Sequence, residues 1–132
     1  MNLRIVIIAL LVCFSMQSQI AAFETKGKIS PEMAEMSISS LSLQINANPT
    51  QGELYHQRGT LYMLSKKEQL ASNDFSKSIE LKSDMQADSY FYRALVKQSL
   101  NDATYCDDFA MAKKLGFKNT AGWEPIDKIC GF

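Results

Sequence analysis

GELYHQRGTLYMLSKKEQLASNDFSKSIELK, residues 52–82, carries two apolar stripes separated by a polar break. In its first half Tyr55, Gly59 and Tyr62 fall at i, i+4 and i+7, which places them on one face of a helix. In its second half Ala71, Phe75, Ser78 and Ile79 repeat that spacing. The intervening SKKEQ, residues 65–69, reads as a solvated turn, so the stretch is a helix, a turn and a second helix. Gly59 sharpens this reading. A glycine inside a helix costs about 1 kcal/mol against alanine, so its presence predicts a close approach of the second helix. Nowhere does the chain alternate with a period of two, and the fold class it predicts is all-α.

The same pattern extends in both directions. Upstream, Pro31 suits a first helical position, Ser30 a cap and Glu32 the positive helix end. Met33, Ile38, Leu41 and Ile45 mark that helix's apolar face. NANPT, residues 46–50, ends it, because Pro49 disfavours helical geometry in Asn48. Downstream, DSYFYRALVKQSL, residues 88–100, predicts a helix with Tyr90 and Ala94 inward. NDAT turns, YCDDFAMAKKLG continues as a helix, and Gly116 suits its C-terminal stop. A short last helix follows, with Pro125 in its first turn and Trp123, Ile126 and Ile129 on its apolar side.

The N-terminus reads differently. Arg4, an apolar run from Ile5 to Phe14 and a polar SMQSQ stretch have the order of a secretory leader, and residues 1–22 are expected to be a signal peptide. Gln17, Ser18 and Gln19 interrupt the run before it reaches the roughly 20 apolar residues of a membrane span. An uncleaved anchor is the alternative, and lipidation at Cys13 fits less well, since Val12 precedes it. Residues 23–29 form a polar lead-in, and 30–132 the helical domain. The expected location is periplasmic or secreted.

Lys and Arg number 14, as do Asp and Glu, and the leader removes only Arg4. A mature chain near −1 has no basic face for nucleic acid. Export also leaves two cysteines, Cys106 and Cys130. An even pair in an oxidising compartment reads first as a disulfide. Two free buried thiols are the alternative, with a metal or catalytic role behind them. A zinc site needs three or four ligands, and His56 is the only histidine. A nucleophile needs a nearby base, whereas Cys106 is followed by Asp107 and Asp108, which would raise a thiol's pKa.

Comparing the helix pairs reveals a period. Tyr55-x-x-Arg58-Gly59 matches Tyr90-x-x-Arg93-Ala94, and Asp74-Phe75-x-x-Ser78-x-x-Leu81 matches Asp108-Phe109-x-x-Ala112-x-x-Leu115. Paired helices repeating about every 34 residues resemble the tetratricopeptide family. Tyr55, Gly59, Tyr62, Ala71, Phe75 and Ser78 stand where that family places its aromatic and small residues, and Pro49 where a preceding unit would close. Ser83 departs from the closing proline and Lys97 from the second aromatic. Tyr105 takes the place of a small residue and is expected to wedge the second pair apart. The Cys106 segment with a late Cys130 also resembles short exported repeat proteins. Sel1-like repeats are the runner-up family, with a longer, glycine-rich pattern.

The resemblance implies a stack of antiparallel helix pairs, about two and a half repeats, with a short capping helix. Such a stack hides its apolar faces only between neighbours. A Cys106–Cys130 bond closing a loop of about 25 residues would contribute roughly 3–4 kcal/mol to a marginal total. The resemblance also implies a concave groove that binds a protein or peptide segment. Glu53, His56, Thr60 and Met63 would line it from one helix, and Asp88, Phe91, Leu95 and Gln98 from the other. Glu53 and Asp88 would make an acidic end, and Met63, Phe91 and Leu95 an apolar floor. The alternative for Phe91 and Leu95 is packing against the terminal helix, while His56 is expected to face solvent. No catalysis, cofactor or metal is expected; a self-associating envelope subunit is the second functional reading.

Overall fold

In a computed structural model, residues 29–132 are described; the expected leader, Cys13 and all but the last residue of the lead-in lie outside them. Among the described residues six α-helices follow one another: α1 (Pro31–Ala47), α2 (Gly52–Leu64), α3 (Glu68–Glu80), α4 (Gln86–Ser99), α5 (Tyr105–Lys114) and α6 (Glu124–Cys130). Sequential helices pack as antiparallel pairs, and Pro31–Phe132 form one unit. No helix of the described residues is long and apolar enough to cross a membrane.

The turns explain why neighbours fold back. After α2, α3, α4 and α5 the chain passes through a left-handed residue: Lys66 (φ 59°), Lys82 (φ 50°), Asn101 (φ 57°) and Gly116 (φ 84°). Each time the next amide reaches back five residues, from Lys67 to the Tyr62 carbonyl (2.8 Å), Ser83 to Ser78 (3.3 Å), Asp102 to Lys97 (2.9 Å) and Phe117 to Ala112 (3.0 Å). This Schellman geometry satisfies the orphan carbonyls and reverses the chain in very few residues. Of these four residues only Gly116 adopts the left-handed region without a Cβ penalty.

The inward faces largely follow the apolar stripes. Ala71, Phe75, Ser78, Ala94 and Ala112 are fully buried, and Phe109 nearly so. Burying an aromatic such as Phe75 contributes about 2–3 kcal/mol. Small residues at 71, 78, 94 and 112 let the helix axes approach. Gly59 does the same: a Cβ there would lie 3.1 Å from the Phe75 ring and 3.2 Å from the Asp74 Cβ. On α1 the inward set is Ala34, Ile38, Leu41 and Ile45. Met33, expected inward, is 61% exposed instead, because the face pointing at α2 is centred one residue further on.

One polar arrangement occurs twice. Arg58 forks onto Asp74 (Nε–Oδ2 2.7 Å, Nη2–Oδ1 2.9 Å) and donates through Nη1 to Ser42 Oγ (2.9 Å). Arg93 forks onto Asp108 (both 2.7 Å) and donates to Ser76 Oγ (2.9 Å). Each serine donates to the carbonyl four residues back, Ile38 or Ser72. Each arginine thus ties three consecutive helices, and paired geometry of this kind keeps a buried carboxylate satisfied. The same tie, formed in the second set at distances no longer than in the first, also corrects the expected wedge. Tyr105 opens α5 half-buried against Phe109, at the edge of the interface, and leaves the α4–α5 pair closed.

Cys106 and Cys130 form the disulfide, with Cα atoms 5.5 Å apart. The bond joins the start of α5 to the end of α6. No residue of α6 is fully buried. The crosslink, an ion pair from Lys113 to Asp127 (2.7 Å) and the half-buried Trp123 hold it in place.

Candidate functional site

Because α3 runs antiparallel to both α2 and α4, those two helices are parallel and present their residues side by side. All eight expected groove residues lie on them, and the structure sorts them into three groups.

At the N-terminal end of the face, Glu53 and Asp88 sit in the first turns of α2 and α4. Glu53 accepts the Asp84 amide (3.1 Å), which ties the α3–α4 turn to α2. Asp88 lies near enough to His56 to favour its protonation electrostatically.

In the middle, the face is closed. His56 does not face solvent as expected: it is 6% exposed, tilted against Phe75 (5.7 Å) and Tyr92 (5.9 Å). Its Nδ1 lies 2.9 Å from Ser89 Oγ. Ser89 in turn donates to Ser78 Oγ (3.0 Å), and Ser78 shares a hydrogen bond with Ser83 Oγ (2.8 Å). Since the Ser89 proton goes to Ser78, the His56 proton sits on Nδ1 and donates to Ser89. Burial is the larger influence on the imidazole and lowers its pKa, with Asp88 opposing. A histidine bonded to a serine is the first element of a nucleophile–base pair. Here the hydroxyl is wholly buried and its proton is directed further inward, so the chain of groups crosslinks α2, α3 and α4. Thr60 donates to the His56 carbonyl (3.0 Å) and is likewise turned to its own helix. Among the described residues no group of three or more His, Cys, Asp and Glu is placed to hold a metal.

Phe91 is half-buried. Phe117 stacks on it at 4.2 Å, and Phe109 (5.5 Å) and Trp123 (6.0 Å) meet it edge-on. Phe91 thus packs against Phe117, which precedes the terminal helix, and against Trp123 at that helix's start. Stacked and edge-to-face rings add about 0.5–1.5 kcal/mol per pair beyond their buried area.

The C-terminal end stays open. Leu95 is 37% exposed and forms a wall shared by two adjoining cavities. One, of about 160 Å³, lies between α2 and α4 and is lined by Met63, Lys66, Glu68, Leu95, Val96 and Ser99. The other, of about 110 Å³, lies between α4, α5 and α6; Leu95, Gln98, Tyr105, Phe109, Ile126 and Ile129 are among its walls. Met63, Leu95 and Gln98 are therefore the expected residues that remain together on open surface. Sequence reasoning missed Tyr105, Ile126 and Ile129, which belong to other helices. The usable signal was the large residue at Tyr105 where a small one was expected. A comparison of the chain with protein-family models and with curated proteins finds no match in either.

Proposed function

We propose that this is an exported, non-catalytic scaffold of tetratricopeptide type that holds a protein segment on the open end of the α2–α4 face. The single observation carrying this reading is Leu95, a half-exposed leucine shared by a mainly apolar cavity and a second one whose lining mixes Met63 and Val96 with Lys66, Glu68 and Ser99. An apolar anchor entering a cavity beside a few hydrogen-bonding groups, here Gln98 and Ser99, suits a short helical or extended segment. The twofold occurrence of the Ser–Arg–Asp tie, at spacings of 34 and 35 residues, supports the repeat assignment. The disulfide supports export, since such bonds persist in oxidising compartments.

The segment is expected to be bound over a shorter stretch than the whole face, because Phe91 and His56 are taken up internally. A photo-crosslinking amino acid at position 95, in cells that export the protein, should capture a discrete partner; the same probe at the exposed Asn73 of α3 should not. Leu95→Glu should abolish co-purification of that partner. Equal capture from both positions, or capture that survives Leu95→Glu, would remove the assignment.

A further inference from the structure

The Cys106–Cys130 bond lies beside the open surface. Both cysteines are half-buried, and Cys130 is itself a wall of the cavity between α4, α5 and α6. The helix that the bond secures fits its seat loosely. None of its residues is fully buried, and Ile129 is 61% exposed. A cavity of about 110 Å³ lies between α6 and the α4–α5 pair, with Ile126 and Ile129 among its walls on one side and Leu95, Tyr105 and Phe109 on the other. Close-packed interiors leave few such spaces. Apart from the bond and these walls, α6 is held by the exposed Lys113–Asp127 pair and the edge-on contacts of Trp123. The buried apolar core beneath does not include it: among the described residues that core ends at Ala112.

We infer that the bond is a redox latch on the binding surface. Reduced by a dithiol, it releases α6 and joins the two cavities that share Leu95 into one trough, running from Met63 on α2 to Phe109 on α5. In the oxidised protein Ile126 and Ile129 stand where a partner's apolar side chains would rest. The inference deepens the proposed function and rests on it for the use made of the trough; the opening itself does not depend on it.

The chemistry is thiol–disulfide exchange. One thiolate of the dithiol attacks the Cys130 sulfur, which the cavity leaves reachable; the S–S bond breaks and Cys106 departs, taking up a proton. The second thiol of the reductant closes on the mixed disulfide and frees Cys130 as a thiol. Two electrons and two protons pass to the protein, and the dithiol leaves as its own disulfide. A disulfide reachable from solvent is the labile kind. Because the core ends before α6, the other helices keep their packing when the bond opens.

Dithiothreitol added to the purified protein without denaturant should yield two titratable thiols and shift the Trp123 emission toward that of an exposed ring. Far-UV ellipticity should fall by no more than a seven-residue helix supplies. Binding of the apolar dye anilinonaphthalene sulfonate should rise at least about threefold and fall back on reoxidation. Cys106→Ser should hold the higher level with or without the reductant, and Leu95→Glu should lose most of the rise. A bond that resists the dithiol until denaturant is added would overturn the inference. So would reduction without a gain in dye binding, a gain that Leu95→Glu leaves intact, or a reduced protein whose helices all melt. The proposed function fails separately: a crosslinker at position 95 that captures no partner in either redox state would remove that function and leave the latch standing.

Discussion

Breaking the disulfide is the perturbation whose outcome the structure specifies most fully. Cys106 and Cys130 are 24 residues apart in sequence, and the loop they close costs the unfolded chain about 3.5 kcal/mol of entropy. A domain of this size has about 5–15 kcal/mol in all. With Cys106→Ser, or with a reductant, only weak attachments of α6 remain: the exposed Lys113–Asp127 pair, the contacts of Trp123 with Phe91 and Phe117, and the partly exposed Ile126 and Ile129 beside the cavity they share with Leu95 and Phe109. Exposed ion pairs contribute about 0–1 kcal/mol. A seven-residue helix without fully buried residues is not stable alone. Loss of the bond should therefore separate two events that are one in the intact protein. Trp123 is the only tryptophan, so its fluorescence reports the seat of α6, while far-UV circular dichroism follows the other five helices. In urea the intact protein should show coincident transitions. The serine variant should lose Trp123 burial first and then unfold with about 2–4 kcal/mol less stability. Identical midpoints and identical emission in the two proteins would refute the claim that the crosslink seats the terminal helix.

Three further outcomes follow from the interior and one from an exposed turn. Arg58→Ala strands Asp74 in a buried site with no second cation among its contacts, and urea titration should show a loss of about 3–5 kcal/mol. Arg93→Ala should cost about 1–2 kcal/mol less, because Lys97 lies 3.0 Å from Asp108 and stays there. His56 is the only histidine, and burial lowers its pKa from 6.5, so the unfolded chain takes up a proton there before the native one does. Its contribution is complete above about pH 6.5, declines as pH falls below that value and stops changing below the folded pKa; His56→Gln should remove this slope from unfolding free energies measured between pH 5 and 8. Lys82 holds φ 50° at an exposed turn, so Lys82→Gly should raise stability by about 1 kcal/mol in the same titration.

The helices, their order and their antiparallel pairing were legible because each depends on local pattern: apolar spacing, turn residues, and a proline or glycine at the ends. Pro31, Ala47 and Gly116 fall where those signals put them. Gly59 announced a close contact, and Phe75 is the neighbour that makes it. The cysteine pairing was legible too, as the first of several readings, because an even pair has one partner choice. Of the open site, Met63, Leu95 and Gln98 were visible from the faces of α2 and α4.

Tertiary contact decided the rest. His56 stands on the expected groove face, yet Tyr92 and Phe75 enclose it and Ser89 satisfies it. Phe91 has the spacing of a groove floor, but Phe117, 26 positions later, stacks on it. Periodicity says which residues share a side of one helix; it does not say what a distant segment lays over that side. That depends on where α6 is anchored and how the aromatic rings around Trp123 share space, which is a property of the packed whole.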